Sequence, residues 1–366
     1  MRRLTACRTA ALGGHVDSCN RCDYQRIAYN SCRDRHCPKC QASARAEWVE
    51  AREADLLPVT YYHVVFTVPQ EIAAIALQNK RVMYGIIMRA SANTLLQIAR
   101  DPKHLGANIG FISVLHTWGQ TLVHHPHVHC VVTGGGLDES GGKWIECQPS
   151  YFLPLRVLSE VFRGKLLDMT RRAFARGEMR LQGGLAHLGD PERFAEHLRR
   201  TYAHNWVVHT NPPFGGVHQV FKYLARYTHR VAIANSRIVA MDNGNVSFRW
   251  KDYAHGSRHR TMTLAGPEFL RRFLLHVLPK GFVRMRSYGF LANGVRATRL
   301  AACRAALAVP VEPQMNGDLV EAAPSQTSLP SCPSCKVGQL IAGPNLPPFS
   351  LGLIMRLPQP AGIDSS

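Results

Sequence analysis

Two histidines separated by one apolar residue, His127 and His129, lie in the run His124-His125-Pro126-His127-Val128-His129. The β-branched residues that follow them read as a strand. Side chains alternate across a strand, so both imidazoles leave one face while Val128 enters the core. A solitary histidine is more often a satisfied core residue, but two side by side offer a pair of nitrogen donors to a metal. A catalytic ion keeps positions open, so two histidines plus one more protein group are expected, with phosphate oxygens and water completing the shell. His124 and His125 precede Pro126 and are expected in a loop, as candidates for substrate contact.

A second constellation is Phe221-Lys222-Tyr223-Leu224-Ala225-Arg226-Tyr227-Thr228-His229-Arg230. Tyr223 and Tyr227 are one helical turn apart, which stacks their hydroxyls on one face, and Gln219 extends that face by another turn. Aromatic pairs at this spacing are also common packing pairs. The cations Lys222, Arg226 and Arg230 beside them suit an anionic ligand at a tyrosine hydroxyl. A phenol of pKa about 10 is a poor nucleophile at neutral pH, so attack on a phosphodiester needs a metal and nearby cations to stabilise the developing charge. The product would be a phosphotyrosine with a free 3′-hydroxyl, which conserves the phosphodiester energy and permits rejoining without ATP. Two tyrosines allow two such links, hence exchange between a donor and a target strand.

Six of the 11 cysteines fall in the first 40 residues. Cys19-Asn-Arg-Cys22 and Cys37-Pro-Lys-Cys40 form two knuckles whose thiolates can converge tetrahedrally on zinc. Cys7, His15, Cys32 and His36 form a second tetrahedral set, so the segment carries ligands for one or two structural zinc ions. Closed cysteine sites are structural, which predicts a module that grips DNA through Arg21, Arg26, Arg33, Arg35 and Lys39. Cys332 and Cys335 show no second pair in sequence and are not counted as a zinc site.

The elements that must position these groups follow from pattern. Residues 1–41 have no usable apolar period, the composition of a domain held by metal. A connecting helix is expected over 42–57, a buried strand from Tyr61 to Val68 closed by Pro69, and a helix over 71–99. Strands over 110–117 and 127–133 follow, the second ending in a turn at Gly134-Gly135-Gly136. Helices are expected over 155–176, 192–202 and 219–228. A hairpin is expected around Asp242-Asn243-Gly244, with strands at 237–241 and 245–250 and a third at 260–264. The tail after Ala308 is rich in Pro and Ser. The total is an α+β core preceded by a metal module and followed by a flexible tail.

Forty-four Lys and Arg against 25 Asp and Glu give a net charge of +19, which predicts a polyanionic partner, DNA first. No run of about 18 apolar residues and no charged-then-apolar leader is visible, so no membrane role is expected and the chain is placed in the cytoplasm, with the nucleoid. No GxxxxGK[ST] signature is present, so strand displacement is expected to depend on host replication or helicase factors.

Taken together, Tyr29-Asn30-Ser31-Cys32-Arg33, His36-Cys37-Pro38-Lys39-Cys40, His125-Pro126-His127-Val128-His129 and Lys222 to Ile233 resemble the two-tyrosine HUH rolling-circle transposases of the IS91 family. Phe66-Thr67 resembles a short strand motif of related replication initiators. The resemblance implies a ferredoxin-like HUH nuclease core, Mg or Mn held by His127 and His129, and Tyr223 and Tyr227 as nucleophiles on single-stranded transposon ends and target. Gln219 is chosen as third ligand, with His218 and His229 as rivals. The implied division is a zinc-binding DNA-recognition domain with its connecting helix (1–57), an HUH nuclease domain (58–235), a small β-rich extension (236–308) and a Pro/Ser-rich tail (309–366). A plasmid relaxase or replication initiator, an inactive zinc-dependent DNA-binding protein and a zinc hydrolase are the competing readings.

Overall fold

The computed structural model describes residues 5–34, 37, 55–148, 151–211, 219, 232–253, 255–308 and 329–349. Tyr223, Tyr227, Lys222, Arg226, Arg230, His218, His229, Arg35, His36, Lys39 and Cys40 lie outside them, as do all but the last three residues of the expected connecting helix. The chain divides into two compact units, Met1–Glu47 with Glu312–Ser366, and Trp48–Val311.

In the first unit, β1 (Gly14–Cys19) pairs antiparallel with β2 (Gln25–Tyr29) on one side and with β12 (Leu340–Leu346) on the other. A strand of the unit that opens the chain thus comes from the segment expected to be a flexible tail. Among the described residues the buried cluster of this unit is Cys7, Cys32 and Cys37, with Leu12 against it. Among the described residues that cluster is made mostly of thiols, as expected of a domain held by metal.

The second unit is built on an antiparallel sheet ordered β11 (Met285–Gly289), β4 (Asn108–Trp118), β5 (His124–Leu137), β3 (Tyr61–Thr67), β7 (Val208–Asn211), with β6 (Trp144–Glu146) pairing β5. The β-branched and aromatic density of Tyr61 to Thr67 suits a central strand, and Val64, Phe66, Phe111, Leu115, Val128 and Cys130 enter one large core. Helices α1 (Gln70–Gln78), α2 (Lys80–Arg100), α3 (Leu155–Ala175) and α4 (Pro191–Ala203) supply the other half of that core, including Ile75, Ile87, Phe162 and Phe194. The opposite sheet face carries Tyr61, Ile112 and Val131, which pack with Phe290 and with Leu300 of α6 (Arg296–Ala306).

Three sequence expectations are corrected here. The helix expected over 71–99 breaks at Asn79, whose amide bonds the Ile75 and Arg180 carbonyls and accepts from the Arg180 N–H, competing with the helical ladder. Gly134, Gly135 and Gly136 are not a turn but part of β5. A Cβ on them would fall 2.9 Å from the Tyr62 ring, 2.5 Å from the Ile145 carbonyl and 2.3 Å from the Asn108 carbonyl, so glycine allows neighbouring strands to close in. His124 and His125 are likewise in β5 rather than a loop, and buried His124 bonds the Tyr84 hydroxyl at 2.9 Å.

Beyond the main sheet, β8 (Ile238–Asp242), β9 (Asn245–Asp252) and β10 (Arg258–Ala265) form a three-stranded sheet. Asn243 and Gly244 both take positive φ, 47° and 74°, the conformation a two-residue type I′ hairpin requires. Val246 and Phe248 pack on Phe269 of α5 (Gly266–Leu275), leaving the alternate face of β9 and β10 outward.

Candidate functional site

Strand register assembles the histidines. Val128 is fully buried in the helix-side core, and His127 and His129 leave the other face, as alternation demands. On β4, His116 lies directly opposite His127, and on β3, Val65 lies opposite His129. The result is a group of three imidazoles, His116, His127 and His129, whose ligand nitrogens all lie within 4.8 Å of one another. His116 was missed in sequence. Its signal was a histidine continuing the alternation of Ile112 and Val114 on the same strand face, but only the register shows that it meets His127.

The tautomer of His127 is set by its surroundings. Its Nδ1 lies 2.7 Å from the His125 carbonyl oxygen, which can only accept, so Nδ1 carries the proton and Nε2 keeps a lone pair. Burial pushes the His127 pKa down to about 4 and that of His129 well below its ordinary value. Both rings are therefore neutral donors near pH 7, the form a metal requires.

Behind His129 stands a row of polar groups on the same face. His63 Nε2 is 2.8 Å from His129 Nδ1, the His63 Nδ1 is hydrogen-bonded to the Asn211 side-chain amide, and the Asn211 Oδ1 is 2.8 Å from His209 Nε2. Register again explains the row, since His63 is opposite Asn211 and Val65 is opposite His209. Burial, with His209 and His127 adding to it, pushes His63 down to about 3. Gln219, the ligand chosen from sequence, is helical and exposed.

The cysteines are grouped differently from the sequence expectation. Cys19 and Cys22 converge with Cys332 and Cys335, and Cys37 joins Cys7 and Cys32, each group within 4.8 Å. His15, expected in the second zinc set, instead reaches Asp17 at 3.0 Å, and Arg26 bonds the other oxygen of that buried carboxylate at 2.9 Å. The physical reason is strand pairing: β12 lies alongside β1 and brings its own knuckle to the end of that strand, whereas Cys37 follows the loop that carries Cys32. Backbone N–H groups point at the sulfurs, from Arg21 to Cys19 at 3.3 Å, Gly338 to Cys335 at 3.2 Å, Cys32 to Cys7 at 3.4 Å and Asp34 to Cys32 at 3.4 Å. Such donors favour thiolates, the metal-binding form. Arg33, expected on DNA phosphate, is exposed in the left-handed region with φ 51°.

A cationic cleft of about 720 Å³ opens along β9 and β10, lined by Arg249, Lys251, His259 and Arg260 with Trp250 and Tyr253. Lys251 Nζ sits 5.1 Å over the Tyr253 ring, and Arg260 is anchored on Asp252 at 3.1 Å. Among the described residues no helix is long and apolar enough to cross a membrane.

Comparison with known proteins bears on both units. Residues 110–299 match the family described as "Putative transposase", and residues 1–68 match the "Transposase zinc-binding domain" of IS91 type. The chain is 52% identical over 348 residues to "Putative transposase y4qJ" of Sinorhizobium fredii, covering 93% of this chain and 87% of that protein. It is 27% identical over 299 residues to the transposase for insertion sequence element IS801 of Pseudomonas savastanoi pv. phaseolicola, covering 80% of this chain and 70% of that one. Among solved structures, the conjugative relaxase TrwC in complex with oriT DNA is a distant likeness, with 14% identity, 66% of this chain and 70% of that chain covered, and a TM-score of 0.26. A family match across more than half of the chain, and a relative matched along nearly its whole length, lead to one conclusion: the chain belongs to the IS91-type transposases with a zinc-binding domain.

Proposed function

We propose that the chain nicks and rejoins single-stranded DNA in rolling-circle transposition, with Tyr223 and Tyr227 as nucleophiles and a divalent ion at His116, His127 and His129. The observation that carries this reading is the three-histidine group on the sheet face opposite the main core of a transposase. His116 takes the third place given in sequence to Gln219. The strand order β4-β5-β3-β7, with helices after β3 and after the β4–β5 pair, supports a ferredoxin-like core, because it is the order and connectivity of a β-α-β-β-α-β unit.

When bound, Mg or Mn would polarise the scissile phosphate and offset charge as it builds there. Three imidazoles favour softer ions than Mg, so phosphate oxygens must supply the hard ligands, and Mn is the better-matched of the two. The protein's own groups do the rest. His127 is held by the His125 carbonyl. For His129 to present Nε2, its proton resides on Nδ1 and is donated to His63 Nε2. With that proton placement His63 would donate from Nδ1, which requires the Asn211 amide flipped from the orientation in which its Nδ2 faces His63 Nδ1 and its Oδ1 faces His209 Nε2. This fixes ring orientation as outer partners of metal-binding histidines do.

In the reaction, the tyrosine Oη forms a bond to phosphorus and the phosphorus–O3′ bond breaks. The phenol proton leaves and the 3′-oxygen ends as a hydroxyl, so the reverse step needs no external energy source. The Arg249, Lys251 and Tyr253 cleft suits the single strand itself, with cations on phosphate and a ring for a base. DNA is the partner, and host factors supply strand separation.

The test is a labelled single-stranded oligonucleotide covering the flanks of the gene, incubated with the protein and Mn, then denatured. A covalent adduct that disappears with chelator and in the Tyr223→Phe, Tyr227→Phe double variant is expected. Cleavage without an adduct would replace this reading by a hydrolase.

A further inference from the structure

We propose that the zinc module is bipartite: one zinc ion is held by Cys19 and Cys22 from the beginning of the chain and by Cys332 and Cys335 from its end. This site is distinct from the Cys7, Cys32 and Cys37 group, and neither matched family region extends past residue 299 to include its second half.

The sulfur geometry carries the assignment. Cys19 Sγ lies 3.7 Å from Cys335 Sγ, and Cys22 Sγ lies 3.7 Å from Cys332 Sγ. Two ligands of a regular tetrahedron with Zn–S bonds of about 2.3 Å stand about 3.8 Å apart. A disulfide would bring a pair to about 2.05 Å, and packing alone gives no reason for four thiols to converge. The tetrathiolate class of ligand selects a soft, tetrahedral cation, zinc first.

Backbone architecture supports the same site independently of the sulfurs. Asn20 bonds Gln339 twice, its N–H to the Gln339 carbonyl at 3.1 Å and its side-chain oxygen from the Gln339 N–H at 2.9 Å. The Cys332 N–H donates to the Gly338 carbonyl at 2.8 Å, closing the second knuckle, and Lys336 takes a positive φ of 58° inside it. Gly338 is required by close approach, because a Cβ there would stand 2.4 Å from Cys19 Sγ. Strand β12 then runs along β1 from Cys19↔Leu340 to Gly14↔Leu346. The two knuckles are 310 residues or more apart, so the pairing closes a very long loop, and a metal clip is the device that offsets such a closure.

The experiment uses the full-length zinc-loaded protein and its Cys332→Ser, Cys335→Ser variant, with bound metal counted by elemental analysis. The variant is expected to hold one zinc fewer per chain, while melting of the nuclease unit is unchanged. Retention of the full zinc complement would overturn the proposal, as would iron in place of zinc. In a second arm, a protease site is placed between residues 316 and 325 of the otherwise unaltered chain and cut after zinc loading. The fragment carrying Cys332 and Cys335 is expected to stay bound through gel filtration and to leave when a strong zinc chelator is added. Loss without chelator, or retention despite it, would overturn the assignment.

Discussion

The cysteine module and the histidine face both gather metal-ligand side chains, but they reach that arrangement in opposite ways. Among the described residues of the first unit, Cys7, Cys32 and Cys37 form the buried cluster, with Leu12 beside them. In the second, His116, His127 and His129 are laid on a sheet already fixed by a large apolar core on its other face. Among the described residues the first unit gathers its thiols with little apolar packing around them, whereas the second gathers its imidazoles on a sheet that an apolar core already holds. The difference follows from composition: residues 1–41 have no apolar period, and Tyr61 to Val132 have it in abundance.

The largest effect expected from this contrast is on folding. Stripping zinc should unfold the first unit, since structural zinc contributes apparent free energies of about 10–16 kcal/mol at neutral pH. The second unit should still melt cooperatively. Calorimetry with and without chelator, together with limited proteolysis, reads both; a coincident loss of the two transitions would break the contrast.

Acid should act on the second unit next. His124 and His276 are buried, and burial is the main cause pushing each down to about 4. Both are neutral when folded and gain protons more readily when unfolded. Their contribution is fully present above pH 6.5 and is lost as pH falls from about 6.5 to about 4, by roughly 3 kcal/mol each at the limit. Denaturant midpoints across that range check it, and a flat profile would show that these rings are hydrated.

A smaller effect sharpens the idea that the sheet makes the site. Replacing His63 by Ala should weaken Mn binding about 10- to 100-fold through loss of the partner that orients His129, with little change in melting temperature. Isothermal titration of zinc-loaded protein would measure it. Smallest of all, Lys251→Ala and Arg249→Ala should each reduce the salt dependence of single-strand binding by about 0.7 in slope, with no effect on either metal. An unchanged slope would remove the β9–β10 cleft from the DNA path.

Much of this was legible in sequence because it depends on local pattern. The His127-Val128-His129 face needs only strand alternation, and the Asn243-Gly244 hairpin needs only turn chemistry. What was not legible depends on register and on chain ends meeting. His116 becomes part of the site only when β4 pairs with β5 in the observed register. Cys37 looked like the partner of Cys19 because spacing along the chain favours the nearer knuckle, yet strand β12 delivers the distant one. Gly134 to Gly136 looked like a turn because three glycines permit one, and here they permit strands to approach instead.

The most direct test of the account is the metal dependence of covalent adduct formation with single-stranded flank DNA in His116→Ala set against Gln219→Ala. With Mn varied, His116→Ala is predicted to form adduct only at far higher Mn or not at all, while Gln219→Ala keeps a near-normal Mn requirement. Loss of adduct in Gln219→Ala with His116→Ala unaffected would contradict the three-histidine site.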